Sequence, residues 1–361
     1  MANQTDISWC DSTFNPWVGC TKISPACDHC YAERLMDHRL RYVQWGVDQP
    51  RKRTSASNWR QPLAWHAAPF FECEFCGMRT NKPMRAQCVG PHRSSHVWKP
   101  SRRRVFCASL ADVFDNEAPT EWRTDLFALI ERTPHLDWLI LTKRIGNVER
   151  MTMDALRAMF IRADREPPTW PWRNVWLGAT ICNQEEAYRD IPKLLATPAA
   201  VRFLSIEPML GPVSLRWLAA WPENAPNRAQ SPTGLTDHLD GLRRLDWVIC
   251  GGESGSQARP MHPDWVRALR DQCAAAGVAF HFKQWGEWVP YEHSAQPPYL
   301  WSQHCRELDG HALPDFESDD GRAQREWHCD FADQLLARRV GTKAAGRLLD
   351  GVEHNGFPAS A

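Results

Sequence analysis

The sequence predicts an α/β fold: a partial or full (β/α) TIM-like barrel carrying a small metal-binding insertion. Two observations lead there. From residue 105 onward, short β-rich apolar runs recur, each ending in polar residues and followed by a helical stretch. Most of these runs also lack strict alternation, as strands do when helices cover both faces of a parallel sheet. A doubly wound open sheet is the competing arrangement.

The elements follow in order. A first strand is expected around residues 7–9, then strands over 105–110, 137–141, 175–181, 201–206, 245–250 and 278–282. Helices are expected over 121–132, 148–163, 185–196 and 264–276. The last is the clearest: Pro263 and Asp264 suit its start, Val266, Leu269 and Cys273 form its apolar stripe, and Gly277 suits its end. Two segments break the rhythm, a polar cysteine- and histidine-bearing insertion over 60–100 and a surface loop over 222–240. After Gly286 the strands are expected to stop, and a helix is predicted over 331–349, closed by Asp350-Gly351. The chain thus divides into a barrel over 1–287, interrupted by the insertion, and a 288–361 tail whose terminal helix packs on the barrel.

Composition narrows the class. With 361 residues, 43% of them hydrophobic, the chain can bury a large core. Lys plus Arg and Asp plus Glu both total 43, so any nucleic-acid contact must come from a local patch. The start has no basic and apolar leader, and no apolar run approaches the roughly 18 residues of a membrane span. Thirteen cysteines without a leader read as reduced thiols and metal ligands, so a soluble cytoplasmic protein with no membrane partner is expected.

The most informative stretch is Gly19 to Tyr31, which places Cys20, Cys27 and Cys30 within eleven residues. Thiolates at this spacing hold zinc or an iron–sulfur cluster. Zinc would need a fourth ligand such as Cys10 or His29, whereas three thiolates on a [4Fe–4S] cluster leave one iron open for chemistry. Trp9, Phe14, Pro16, Trp17, Val18 and Tyr31 surround the triplet with apolar bulk that would limit solvent access. A second group, Cys73-x2-Cys76-x11-Cys88 followed by His92 and His96, is similar to a small zinc knuckle, with His92, or His96 in its place, as fourth ligand. An auxiliary cluster and unliganded thiols are its alternatives. Arg51-Lys52-Arg53 and Arg102-Arg103-Arg104 flank this insertion as candidate phosphate contacts, against the plainer reading of solvated faces. Most of the nineteen tryptophans fit core positions, but Trp285 and Trp288 are placed to line a pocket.

Active sites of such folds gather at the C-terminal ends of the strands. Those ends supply Ser109 and Asp112; Thr142, Lys143 and Arg144; Thr180 and Asn183; Ser205 and Glu207; Gly251, Gly252, Glu253 and Ser254; and Lys283 and Gln284. So many polar groups at the ends of apolar strands suit a pocket, although helix caps and rim ion pairs would produce a similar list. Gly251-Gly252-Glu253 is the sharpest, with glycines that let the backbone approach a ligand and a carboxylate for an ammonium or a ribose hydroxyl.

Read together, Trp9 to Cys20 and Cys27 to Glu33 resemble a phage and prophage three-cysteine protein family related to radical S-adenosylmethionine (radical SAM) enzymes. Ala111 to Phe114, Leu141 to Arg144, Asn174 to Gly178, Phe203 to Pro208, Gly251 to Gly255 with Ala258 to Met261, and Phe282 to Gly286 match as well, as does the tail from Lys343 to Gly351. The resemblance spans the chain outside about 60–100 and 222–240. It implies a [4Fe–4S] cluster on Cys20, Cys27 and Cys30. S-adenosylmethionine would chelate the open iron, and one-electron reduction would release a deoxyadenosyl radical that abstracts hydrogen from substrate. The spacing departs from the usual three-then-two: it is six, then two. His29 stands where an aromatic residue near the adenine is common. Gly-Gly-Glu lies far downstream of its usual place, so Ser109 and Asp112 take the role of gripping the methionine ammonium and Glu253 another.

The resulting expectation is a radical SAM enzyme modifying a nucleobase or nucleotide, with phage DNA as one candidate substrate. A one-electron donor such as flavodoxin or ferredoxin would supply it. Glu207, Lys283 and Lys143 are the expected catalytic residues, and His29, Ser109, Asp112, Gly251, Gly252 and Glu253 the cofactor-binding ones. The alternatives are a non-catalytic zinc-stapled nucleic-acid-binding protein and a barrel hydrolase with structural cysteines.

Overall fold

The computed structural model describes residues 5–83, 88, 95–164, 169–216, 218–219, 238–290, 316–317, 323–324, 328–330 and 336–358. Its frame is one seven-stranded sheet: β1 (Ser12–Phe14), β2 (Arg103–Cys107), β3 (Leu136–Thr142), β4 (Val175–Thr180), β5 (Val201–Ile206), β6 (Trp247–Gly251) and β7 (Ala279–Gln284). All neighbours are parallel, and spatial order equals chain order. A doubly wound sheet reverses its order at a switch point. Here no reversal occurs, so the sheet curls in one sense as a (β/α) half-barrel. Among the described residues β1 and β7 remain its two edges.

Helices α1 (Ala56–Ala67), α2 (Thr120–Glu131), α3 (Val148–Ala163), α4 (Gln184–Ala196) and α5 (Pro263–Ala276) connect the strands. Local chemistry fixes their ends. The Asn183 side chain accepts from Glu186 N at 2.9 Å to start α4. His262 caps α5 through Asp264 N, and Gly277 closes it at φ +68°.

The two faces of the sheet have different cores. Val105, Trp138, Ile140, Leu177, Leu204, Val248 and Phe282 join the helices in the larger apolar cluster. On the concave face Phe106, Leu139, Trp176, Val201, Phe203, Trp247 and Ile249 pack with Trp9 and Cys10 in a second cluster, against which Phe357 leans. The fit there is tight: a Cβ on Gly178 would lie 2.4 Å from the Phe203 ring. Going up the same face, the strands end in Thr180, Ser205, Gly251 and Lys283. The interior is therefore plugged by aromatics at one end and polar at the C-terminal end, where a pocket belongs.

Several expectations need correction. The first strand pairs at Ser12–Phe14 rather than 7–9, because Trp9 and Cys10 are buried in the concave cluster and pairing begins after Asp11 N bonds Arg104 O at 2.9 Å. Residues 60–67 belong to α1, so the insertion begins later, as a small antiparallel sheet of Phe71–Cys73, Arg79–Thr80 and Trp98–Pro100. Strands do not stop at Gly286: Trp288–Pro290, Leu336–Arg339 and His328–Asp330 form a sheet. No helix runs through the described part of 331–349. Leu336–Arg339 is extended, Gly341 and Gly346 take φ +86° and +70°, and only Thr342–Ala345 is helical. The Asp350-Gly351 pair, both at positive φ, turns a hairpin between Leu348–Leu349 and Val352–Glu353 instead of closing a helix. Residues 222–237 of the expected surface loop, and Cys305, lie outside the described residues. No described helix is long and apolar enough to cross a membrane.

Candidate functional site

The segment after β1 is tied to the loop after β2 before it reaches the cysteines. Asn15 accepts from Leu110 N at 2.7 Å and donates to Ser109 Oγ at 3.0 Å, and Gly19 N bonds Leu110 O at 3.1 Å. Gly19 takes φ +110° there, which a side chain would strain. The chain then crosses the C-terminal mouth of the sheet, touching the end of one strand after another. The Tyr31 hydroxyl donates to Ser109 O after β2, Arg144 after β3 holds Cys20, and Ser24 and Ala26 meet Cys182 after β4. His29 Nδ1 lies 3.2 Å from Glu253 after β6. The three cysteines thus stand where the fold gathers its polar strand ends.

Cys20 is gripped by two buried arginines. Arg144 Nη1 is 3.4 Å from its sulfur and Nη2 donates to Thr21 O at 2.8 Å, while Arg51 Nη2 donates to Thr21 Oγ1 at 2.7 Å. Asp115 sits between them, 2.6 Å from Arg51 and 3.7 Å from Arg144. Burial, reinforced by Asp112, pushes the Cys20 thiol up to about 12 against the opposing pull of Arg144, and burial likewise raises Cys30. Lys143 faces all three thiols. Burial would lower its ammonium, but the charges of Cys27, Cys30, Asp112 and Cys20 outweigh that and hold it above its ordinary range. Three thiolates on such a loop suit separate irons of a cluster or, with a fourth ligand, one zinc ion.

Glu253 is the anchor of the loop. Buried at 6% exposure, it accepts from Arg259 N and Nε, each at 2.8 Å, and from Arg259 Nη2 at 2.7 Å. Arg259 continues to Asp28 at 3.0 Å and Pro25 O at 2.9 Å, both in the cysteine loop. Burial would raise the Glu253 carboxyl, but the donors from Arg259 and His29 outweigh it and hold it below the usual range.

Glu207 and Lys283 pair across β5 and β7 at 2.5 Å, with side chains 18% and 22% exposed. Gly251 lies against Glu207, where a Cβ would come within 3.4 Å of it. Lys143, Glu207 and Lys283 are each half-buried.

Other expected residues have structural work. Asp112 accepts from Thr142 Oγ1 at 2.7 Å, Lys143 N at 3.0 Å, Phe114 N at 2.9 Å and Arg144 at 3.2 Å, which fixes the turn after β3. Ser109 serves Asn15 and Tyr31. The close approach made by Gly252 is to the chain itself, since a Cβ there would lie 1.9 Å from Trp285 O. Trp285 and Trp288 are both buried and donate to Leu348 O and Ala258 O. The basic triplets are occupied too. Arg51 and Arg103 are buried, Arg53 and Arg102 pair with Asp125 and Asp137, Arg104 covers Phe357 and Lys52 covers Tyr42.

In the insertion, Cys73, Cys76, Cys88 and His96 bring four ligand atoms within 4.8 Å of one another, a set that could bind a metal ion. His96 takes the fourth place, and His92 lies outside the described residues.

Two roles escaped the sequence reading, that of Arg259 and the hydrogen bond by which Tyr31, expected only as apolar bulk, reaches Ser109 O. Each residue lies in a quoted motif, but only the fold brings Arg259 to the cysteine loop across 231 residues.

One family model, described as a protein of unknown function (DUF5131), matches residues 4–358. No curated protein and no solved structure matches the chain.

Proposed function

Because the chain belongs to the DUF5131 family, whose function is unknown, its chemistry must be argued from its own residues, and we propose that it is a radical S-adenosylmethionine enzyme acting on a nucleobase or nucleotide. One observation carries the reading: Cys20, Cys27 and Cys30 sit on a loop that crosses the C-terminal mouth of a half-barrel, beside the ends of β2, β3, β4 and β6. When bound there, a [4Fe–4S] cluster supplies an open iron for the amino and carboxylate groups of S-adenosylmethionine and the electron that cleaves its sulfur–carbon bond.

The chain's own groups divide the remaining work. Lys143 offsets the negative charge of the thiolates, and Arg144 fixes Cys20 through its sulfur and the Thr21 carbonyl. Glu253 and Arg259 hold the loop against β6. Glu207 and Lys283 are the groups offered to substrate: Lys283 suits a phosphate or carboxylate, and Glu207 suits an amine or hydroxyl. The aromatic cluster around Trp9, Phe203 and Trp247 closes the far end of the barrel and keeps water from entering there. Ile23, Leu40, Tyr42 and Val47 are exposed in or near the cysteine loop and suit the approach of a one-electron donor such as flavodoxin or ferredoxin. Of the basic triplets, Arg51 and Arg103 are buried, while Lys52, Arg53 and Arg102 stay at the surface, where they suit contact with a phosphate of a nucleotide or of DNA.

Anaerobic reconstitution with iron and sulfide tests the first step. Wild type is expected to take up about four irons per chain and turn brown, and Cys27→Ala to lose both. Uptake of zinc alone by the triplet would favour the zinc-stapled binder, and substrate turnover by an iron-free protein would favour the hydrolase.

A further inference from the structure

Among the described residues, the insertion contains the one group of four metal-ligating atoms found close together, and it is separate from the loop at the barrel mouth. Cys73 Sγ and Cys88 Sγ are 3.8 Å apart, and Cys76 Sγ and His96 Nδ1 are 3.6 Å apart. A tetrahedral ion at about 2.3 Å from sulfur and about 2.0 Å from nitrogen sets those separations at about 3.8 Å and about 3.5 Å. Sulfurs 3.8 Å apart are far from the roughly 2.05 Å of a disulfide. They are also closer than thiolates bound to different irons of a cluster.

The local backbone suits the same ion. In Cys73-Glu-Phe-Cys76-Gly77 the chain turns tightly, Gly77 N bonding Cys73 O at 2.9 Å with Gly77 at φ +69°. Backbone N–H groups of Phe75 and Cys76 point to the Cys73 sulfur, and that of Met78 to the Cys76 sulfur. Such donors stabilise metal-bound thiolates. His96 is stacked on Trp98 at 4.8 Å, which sets its ring. Three strands of two or three residues cannot build a core of their own, and Cys73 and Cys88 are nevertheless 1% and 2% exposed.

We propose that Cys73, Cys76, Cys88 and His96 hold one structural zinc ion, and that this ion fixes the insertion so that its Arg79 clamps the edge strand leading to Cys20. Arg79 Nε donates to Asp11 Oδ1 at 2.9 Å and Nη2 to Asp11 Oδ2 at 3.1 Å, while its other donors reach Glu72, Ser101 and Arg102 O. The same Asp11 carboxylate accepts from Arg104 N at 2.7 Å. It therefore joins β1 to β2 one residue before Ser12, and β1 runs on through Asn15 to the cysteine loop. Zinc suits a closed set of three thiolates and one imidazole, and a closed set leaves no position for substrate. The inference stands independently of the chemistry proposed at the barrel mouth.

The test is metal analysis of the full chain purified anaerobically, as wild type, Cys27→Ala and Cys76→Ser. Wild type and Cys27→Ala are expected to carry about one zinc each, and Cys76→Ser at least ten-fold less. If Cys76→Ser is insoluble, zinc X-ray absorption of the wild type decides alone, with about three sulfurs near 2.3 Å and one nitrogen near 2.0 Å expected. No zinc, iron in its place, or a different ligand count overturns the site. For the clamp, stripping zinc with a chelator and replacing Arg79 by Gln in the zinc-loaded protein should each speed amide exchange over Ser12–Phe14 at least ten-fold. Unchanged exchange in both overturns the clamp.

Discussion

Replacing Arg259 with alanine removes the guanidinium that joins Glu253 to the cysteine loop. Glu253 would keep only the backbone N–H of residue 259, at 2.8 Å, and His29 Nδ1, at 3.2 Å. Breaking a buried ion pair from one side costs about 3–5 kcal/mol. Arg259 is itself a third exposed, so water takes over part of its role and about 2 kcal/mol is the expected loss. Glu253→Gln keeps the shape and removes the charge, at about 1 kcal/mol. With both changes no buried charge is stranded, so the double variant should lie about 1.5 kcal/mol below the sum of the singles. Denaturant unfolding of the four metal-free proteins at one pH measures this cycle. Iron uptake should fall in Arg259→Ala and stay low in the double variant, which also lacks the link to Asp28 and Pro25 O. Additivity within about 0.4 kcal/mol, or full iron uptake in Arg259→Ala, would refute the anchoring role.

Three further predictions concern other parts of the molecule. Buried His281, which shares a 2.8 Å hydrogen bond with Ser8, is pushed down to about 3 by burial and the nearby cations Arg347, Lys283 and Arg104. The unfolded chain takes up that proton first, so this stability is complete above about pH 6.5 and is lost as pH falls toward 3. It amounts to about 2 kcal/mol between pH 7 and 5. Unfolding free energies across that interval should slope less in His281→Gln than in wild type, and equal slopes would contradict the assignment. Gly178→Ala would force a methyl into the Phe203 ring and should cost about 1–3 kcal/mol in thermal or denaturant unfolding, with partial recovery on adding Phe203→Leu; a neutral single variant would contradict the packing. Lys143→Met should lower iron retention by about ten-fold or more, with near-UV circular dichroism unchanged. Wild-type retention would show that the cation does not serve the thiols.

The repeating unit was legible because each strand is a short apolar run ending in polar residues. The order of the sheet was not, since only the register of all seven strands excludes the doubly wound arrangement. Strand 12–14 was hidden because Trp9 and Cys10 carry the apolar signal while pairing begins beyond them. The tail misled because Lys343 to Leu349 reads as helix former, yet Gly341, Gly346 and the Asp350-Gly351 turn set the backbone. At the site, residue types at strand ends located Lys143, Glu207, Glu253 and Lys283, but sequence could not separate groups facing the mouth from those holding turns. Asp112 spends its carboxylate on the turn after β3, and the Gly252 backbone spends its freedom on Trp285. The contacts of the basic triplets were not legible because their partners, Asp115, Asp125, Asp137 and Phe357, are distant in sequence.

The most direct measurement is cleavage of S-adenosylmethionine by the reconstituted protein under anaerobic reduction with dithionite, compared with Cys27→Ala. The account predicts 5′-deoxyadenosine and methionine from wild type and none above background from the variant. A fully iron-loaded wild type that leaves S-adenosylmethionine intact, or cleavage that persists in Cys27→Ala, would contradict it.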